Sequence, residues 1–170
     1  MKNKNILIIL PVNNFNEQEF VITKTVLSRA GFNLFIASDA PSLCYGDKRL
    51  KVKPDINFYN ISEPNFCGIV FIGGKGAREY WNNESLHLII NKFNKAGKIV
   101  AAICAAPVIL ANAGILNNLN AVCFPTAKNE LTKSGAVYVD EPVVISKNII
   151  TAKDYNAAEE FAFNIVSIDN

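Results

Sequence analysis

The reactive atoms of this chain collect at the ends of three apolar runs. Ile99-Val-Ala-Ala-Ile-Cys104-Ala-Ala-Pro107 delivers a thiol at the end of an unbroken hydrophobic stretch, followed by two small residues and a proline. Proline is tolerated in a first helical turn, so the run reads as a strand leading into a helix with the cysteine at the elbow. Such an elbow exposes a nucleophile and places its sulfur near amide N–H groups that have no helical partner. The positive end of the helix would then favour thiolate. The same residue also reads as a small buried core cysteine, the commonest fate of an unpaired thiol. Position alone leaves both readings standing.

The second run, Gly68 to Ile72, opens into Gly73-Gly74-Lys75-Gly76. These residues match neither GxxxxGK[ST] nor GxGxxG, so nucleotide binding has no support. A flexible loop is one reading. The functional one is a tight turn whose amide, with that of Ala105, stabilises an oxyanion. The first run, Asn5 to Val12, leads to Glu17 and Glu19 in the opening turn of a helix, where carboxylates are favourable simply by complementing the dipole. Glu19, beside Phe20, is expected to face inward and Glu17 to face solvent. A carboxyl pressed against a thiol tends to stay protonated and can donate a hydrogen bond to thiolate. His87 lies among Leu86, Leu88 and Ile89 and reads as a structural histidine. Cys44, Cys67 and Cys123 have no comparable positioning and read as structural.

The elements that must position these groups alternate in type. Asn5 to Val12 has the composition of a strand covered on both faces. A helix from Asn16 follows, ended by Gly31 after Arg29, and then a strand over Phe32 to Ala37. Ser38 to Glu63 is an excursion with short extended pieces at Leu50 to Val52 and Ile56 to Tyr59. Gly68 to Gly73 is a strand, Lys75 to Phe93 is helical with a restart at Asn83, and Ile99 to Ile103 is a strand. A short helix spans Ala105 to about Ala113. Strand-like segments recur at Ala121 to Phe124, Val143 to Ser146 and Ile149 to Thr151. In the last helix, rows at Ala157, Phe161, Ile165 and at Ala158, Ala162, Val166 would pack on a sheet. Alternation of this kind implies an α/β three-layer, flavodoxin-like sandwich with a mostly parallel central sheet, formed by residues 1–170 as one domain. Ligands bind such sheets beyond the carboxyl ends of the strands.

Composition sets limits. The 170 residues carry 17 Lys and Arg against 15 Asp and Glu, with one His and four Cys. No basic run is long enough to follow a phosphate backbone, so nucleic acid is not expected. The opening apolar run is too short for a membrane span and lacks a cleavage site, so no membrane association is expected. Absence of CxxC spacing argues against zinc, and no cofactor is called for. Cysteines without a disulfide pattern point to a reducing, cytoplasmic setting.

The segments together resemble the ThiJ/PfpI family, the superfamily of the parkinsonism-associated protein deglycase. The resemblance rests on Ile8-Ile-Leu-Pro11 followed by Phe15-Asn-Glu-Gln-Glu19, Ser28-Arg-Ala-Gly31, Lys53-Pro-Asp55, Phe71-Ile-Gly-Gly74, Ala102-Ile-Cys-Ala-Ala-Pro107 and Ala113-Gly-Ile-Leu116. It implies Cys104 as nucleophile, Glu19 as the acid that hydrogen-bonds it, Gly74 and Ala105 as backbone oxyanion donors, and a homodimer. It also exposes two departures. Where protease-like members have a histidine directly after the cysteine, this chain has Ala105. Where deglycase-like members have a histidine before a proline, it has Phe124. The function implied is a cysteine-dependent enzyme acting on small reactive carbonyls, glyoxalase- or deglycase-like and independent of glutathione. The alternative is a non-enzymatic redox sensor or stress-response protein whose Cys104 meets a small oxidant. A cysteine peptidase or amidase ranks last, because no triad is visible.

Overall fold

A computed structural model describes residues 3–169; Met1, Lys2 and Asn170, which the single-domain expectation included, lie outside the described residues. The continuous apolar runs occupy the middle of a seven-stranded sheet, because only there are both faces covered. In chain order the strands and helices are β1 (Asn5–Ile9), β2 (Asn13–Phe15), α1 (Glu17–Arg29), β3 (Asn33–Ser38), β4 (Cys44–Gly46), β5 (Lys51–Val52) and β6 (Ile56–Asn57). There follow β7 (Gly68–Phe71), α2 (Glu84–Lys95), β8 (Ile99–Ile103), α3 (Pro107–Asn112), β9 (Asn120–Ala121) and α4 (Lys128–Lys133). The chain closes with β10 (Val137–Tyr138), β11 (Val143–Ser146), β12 (Ile149–Ala152) and α5 (Ala158–Asp169).

The main sheet has the order β11-β12-β8-β7-β1-β3-β6. All its pairings are parallel except β11 with β12 at one edge. β1 is flanked by β3 and β7, with Ile8 opposite both Ile36 and Val70. The chain therefore reverses its direction of travel across the sheet at β1, and the crevice beyond β1 and β7 is the switch point where open α/β sheets bind ligands. β8 adjoins β7, so the three runs carrying Glu19, Gly73 and Cys104 end side by side.

Helices α1 and α5 pack together on one face, and α2 with α3 on the other. In α5, Ala158, Phe161, Ala162 and Ile165 are fully buried, as their i, i+4 rows require, while Phe163 on the opposite side is exposed. The flavodoxin-like sandwich is thus present.

Boundaries differ from the sequence reading where local chemistry intervenes. β1 ends at Ile9 because Pro11 has no N–H to extend the ladder, and the chain turns off into β2. The helical segment from Lys75 opens as a 3₁₀ turn, Lys75–Tyr80, and restarts as α2 after Asn83, where the sequence places the restart; the Asn83 side chain caps Leu86 N–H. Of the expected Ala121 to Phe124 strand only Ala121 is paired, as the end of β9, and Pro125 opens a 3₁₀ turn. Strands β2, β4 and β10 and helix α4 are too short to leave a periodic signal.

Phe161 is a large aromatic with no exposed surface in the layer joining α5 to the sheet. Phe161→Ala is expected to cost about 3–5 kcal/mol, read as a lowered urea midpoint at unchanged slope.

Candidate functional site

Cys104 stands where β8 stops, with φ +64°. This left-handed conformation costs a non-glycine residue about 1–3 kcal/mol and persists only when neighbours over-determine it. Here three hydrogen bonds do so. Cys104 N–H donates to Ala152 O at 2.9 Å, Phe124 N–H donates to Cys104 O at 2.8 Å, and Ala106 N–H closes a turn onto Ile103 O at 3.1 Å. The bond from Phe124 fixes the peptide plane between Cys104 and Ala105, so it also aims the Ala105 N–H. Trp81 Nε1 donates to Ala105 O at 2.8 Å and holds the next plane.

Glu19 comes from the other side of the crevice. Asn16 caps α1 by accepting from Glu19 N–H at 3.0 Å. Asn16 with Glu19 has the spacing of a capping box, in which the glutamate would reach back to the cap's own N–H. Gly73 takes over that role: its carbonyl accepts from Asn16 N–H at 3.0 Å. The Glu19 carboxyl is thereby released to accept from Gly73 N–H at 2.9 Å and to engage the Cys104 thiol. Beyond that contact, Oε1 is buried without a hydrogen-bond partner. A Cβ at Gly73 would fall 2.5 Å from Cys104 Cβ and 2.8 Å from Glu19 Oε2, so only bare backbone fits between acid and thiol. Gly74 adopts φ +101°, and a Cβ there would strike Asn14 O and come within 2.5 Å of Asn16 N.

Burial pushes the Glu19 carboxyl up to about 8, against the opposing pull of its bonds to Cys104 and Gly73. It is therefore protonated in most molecules at neutral pH. The Cys104 thiol is also raised, first by burial and then by the negative charge of an ionised Glu19, while the Gly74 and Ala105 amides favour its thiolate. This reverses the expectation that the following helix would lower it. Helix α3 begins at Pro107 rather than Ala105 and has six residues, so Cys104 sits in the preceding turn and gains little from a dipole. When Glu19 holds its proton, the charge that opposes thiolate is absent and a carboxyl O–H faces the sulfur.

Cys104, Glu19, Gly74 and Ala105 share one cavity of about 740 Å³, also walled by Phe124 and by Arg78. The structure thus brings together all the residues singled out at the strand ends except Glu17. That residue does not face open solvent: Oε1 accepts from Lys48 N–H at 2.7 Å and Leu50 N–H at 2.6 Å, clamping the β4–β5 connection. His87 lies outside the cavity, with Nε2 3.0 Å from Trp81 O. Cys44 and Cys123 are fully buried, and Cys67 is half-buried with Sγ donating to Asn5 O at 3.2 Å. Among the described residues, no group of three or more His, Cys, Asp or Glu could hold a metal ion. Among the described residues, no helix is long and apolar enough to cross a membrane. Sequence reasoning passed over Arg78 and Trp81, whose i, i+3 spacing stacks side chains in a 3₁₀ turn.

A sequence model described as the DJ-1/PfpI family matches residues 4–168. The chain belongs to the DJ-1/PfpI family. It is 34% identical over 169 residues to an uncharacterized protein of Methanocaldococcus jannaschii, covering 98% of this chain and 82% of that one. It is 31% identical over 163 residues to glutathione-independent glyoxalase DJR-1.2 of Caenorhabditis elegans, covering 96% and 87%. Among solved structures, a ThiJ/PfpI domain protein from Brachyspira murdochii superposes with a TM-score of 0.97 at 29% identity, covering 100% of this chain and 98% of that one. Within the DJ-1/PfpI fold, the position of Phe124 contributes a backbone donor to the elbow and an apolar ring to the cavity wall.

The raised Glu19 carboxyl makes stability depend on pH. Unfolded, this group titrates near 4.5; folded, near 8. Between those values the native state binds a proton that the unfolded chain has lost, so stability is greatest below 4.5 and falls as pH rises through 8. The expected loss is on the order of 5 kcal/mol across that window. Denaturant unfolding at pH 5, 6.5 and 8 should show this slope in wild type and a much flatter one in Glu19→Gln.

Proposed function

We propose that this protein acts on small reactive carbonyls through Cys104, without glutathione, as the names of its glyoxalase and deglycase relatives suggest. The observation that carries the reading is a buried, protonated Glu19 carboxyl held against a cysteine on a strained elbow that opens into a cavity. The sulfur bonds to the aldehyde carbon of an α-oxoaldehyde, and the C=O π pair moves to oxygen. Glu19 gives that oxygen its proton and takes the one leaving the thiol, so the hemithioacetal forms with no net proton change. The Gly74 and Ala105 amides would hold the developing oxyanion. For methylglyoxal, moving the C1 proton to C2 through an enediol gives a lactoyl thioester, and water releases lactate and the thiol. Glu19 is the titratable group placed to carry that proton. The cavity wall offers Phe124 and no imidazole, so turnover is expected to be slow; a positioned general base is commonly worth ~10²–10⁴-fold.

One observation favours a second reading: the Gly74 and Ala105 amides favour a negative sulfur itself. A peroxide sensor would use them to hold a sulfinate, formed when a thiol and two peroxides give R–SO₂H and two waters. Lactate release from methylglyoxal decides between the readings. Wild type should exceed both Cys104→Ser and Glu19→Gln by at least tenfold, and Phe124→His should accelerate it. Wild-type release no greater than Cys104→Ser, with mild peroxide adding two oxygens selectively to Cys104, would establish the sensor instead.

His87 reaches the site only through Trp81 O, which Asn112 Nδ2 also holds at 2.9 Å. His87→Ala is expected to keep the rate within tenfold of wild type, less than about 1.4 kcal/mol of transition-state stabilisation. A larger loss in a folded variant would place His87 in the proton path.

A further inference from the structure

Arg78 is a half-buried cation of the cavity wall whose interactions leave its charge unspent. Its guanidinium lies 4.9 Å from the centre of the Trp81 ring, and Nη2 donates to Thr126 Oγ1 at 2.5 Å. Both partners are neutral, and among the described residues Arg78 forms no ion pair. The two acids on the same wall are turned to the backbone. Asp47 Oδ1 accepts from Glu17 N–H at 3.3 Å, and Asp154 Oδ1 accepts from Asn156 N–H at 2.9 Å. Lys75, exposed on the same rim, adds positive potential.

The guanidinium is also in a fixed place. Trp81 donates to Ala105 O, and Ala105 follows the reactive cysteine, so one indole ties the cation to the elbow. Stacking against an aromatic face and one hydrogen bond immobilise the fork while leaving other N–H groups for a ligand. A planar fork with remaining donors, beside a hydroxyl, matches the two oxygens of a carboxylate.

We infer that Arg78 and Thr126 form a carboxylate subsite, and that the cavity takes α-oxoaldehydes carrying a carboxylate at the end remote from the aldehyde. The assignment of these molecules as reactants rests on the carbonyl chemistry proposed above; the anion subsite itself does not. 4,5-Dioxopentanoate has this form, being methylglyoxal whose methyl group is extended by CH₂–COO⁻. The same Cys104 addition, enediol shift and hydrolysis convert it to 2-hydroxyglutarate, with water as the other reactant. Arg78 holds the remote carboxylate throughout and exchanges no proton.

The chain has one tryptophan, Trp81, in contact with Arg78, so its fluorescence reports on the subsite directly. Levulinate, an unreactive ketone with the same carboxylate, is titrated against wild type, Cys104→Ser and Arg78→Met, with methyl levulinate as the neutral control. Wild type and Cys104→Ser should show a saturable change with levulinate at least tenfold tighter than with the ester. Arg78→Met, which keeps an apolar stem against the indole, should lose that preference. In parallel, kcat/KM for 4,5-dioxopentanoate over that for methylglyoxal should exceed ten in wild type and collapse at least tenfold in Arg78→Met. Equal binding of levulinate and its ester, or a preference that survives Arg78→Met, overturns the subsite. Arg78-dependent levulinate binding without Cys104-dependent turnover of either aldehyde leaves the subsite standing and overturns the carbonyl chemistry instead.

Discussion

The left-handed backbone at Cys104 is the constraint on which the site depends. A side chain with a Cβ does not choose that conformation, and here it is imposed from both sides. Ala152, at the end of β12, takes the Cys104 N–H, and Phe124 returns a donor to its carbonyl. Each of these residues belongs to a segment distant in sequence from the cysteine. The parallel pairing of β8 with β12 positions Ala152, and the 3₁₀ turn at Pro125 sends Phe124 N–H back toward the elbow. The sheet's topology is therefore what sets the largely buried thiol against the cavity.

The second constraint is the space at Gly73. Acid and thiol approach across a residue with no side chain, and the same residue satisfies the cap of α1 through its carbonyl. That exchange releases Glu19 from capping. Burial then keeps the carboxyl protonated near neutral pH, so it can act as a hydrogen-bond donor to sulfur or oxygen rather than as a repelling charge. The balance is self-limiting: once Glu19 ionises, its charge raises the neighbouring thiol and thiolate becomes harder to form.

In the proposed chemistry Glu19 is the carboxyl that engages the sulfur directly. Phe124 supplies a backbone donor and an apolar wall, and His87, the chain's only imidazole, lies behind Trp81. The same tryptophan joins three parts of the crevice: it steadies the Ala105 peptide, stacks on Arg78, and has its own carbonyl held by α2 and α3 through His87 and Asn112. The subsite proposed for recognition and the elbow proposed for chemistry are thereby joined through one side chain.

By itself the sequence determined the alternation of strands and helices, the sheet class and the strand ends at which Glu19, Gly74 and Cys104 emerge. Those features are written in local apolar periodicity and in glycine and proline punctuation, and both survive without knowledge of the partner segments. The change of pattern at Asn16 also marked the start of α1. What tertiary structure decided was protonation and orientation. Whether Cys104 points into a cavity depends on its hydrogen bond to Ala152 O and the one it receives from Phe124 N–H, and whether Glu19 carries a proton depends on how completely other segments bury it. Glu17 reads as a solvated carboxylate in sequence and becomes a clamp only because the β4–β5 connection passes above it. The helix after Cys104 looked able to lower its thiol, yet a two-residue delay in its start and the desolvation of the pocket turn the balance the other way. Such effects arise from the summed field and packing of residues far apart in the chain, and no local pattern encodes them.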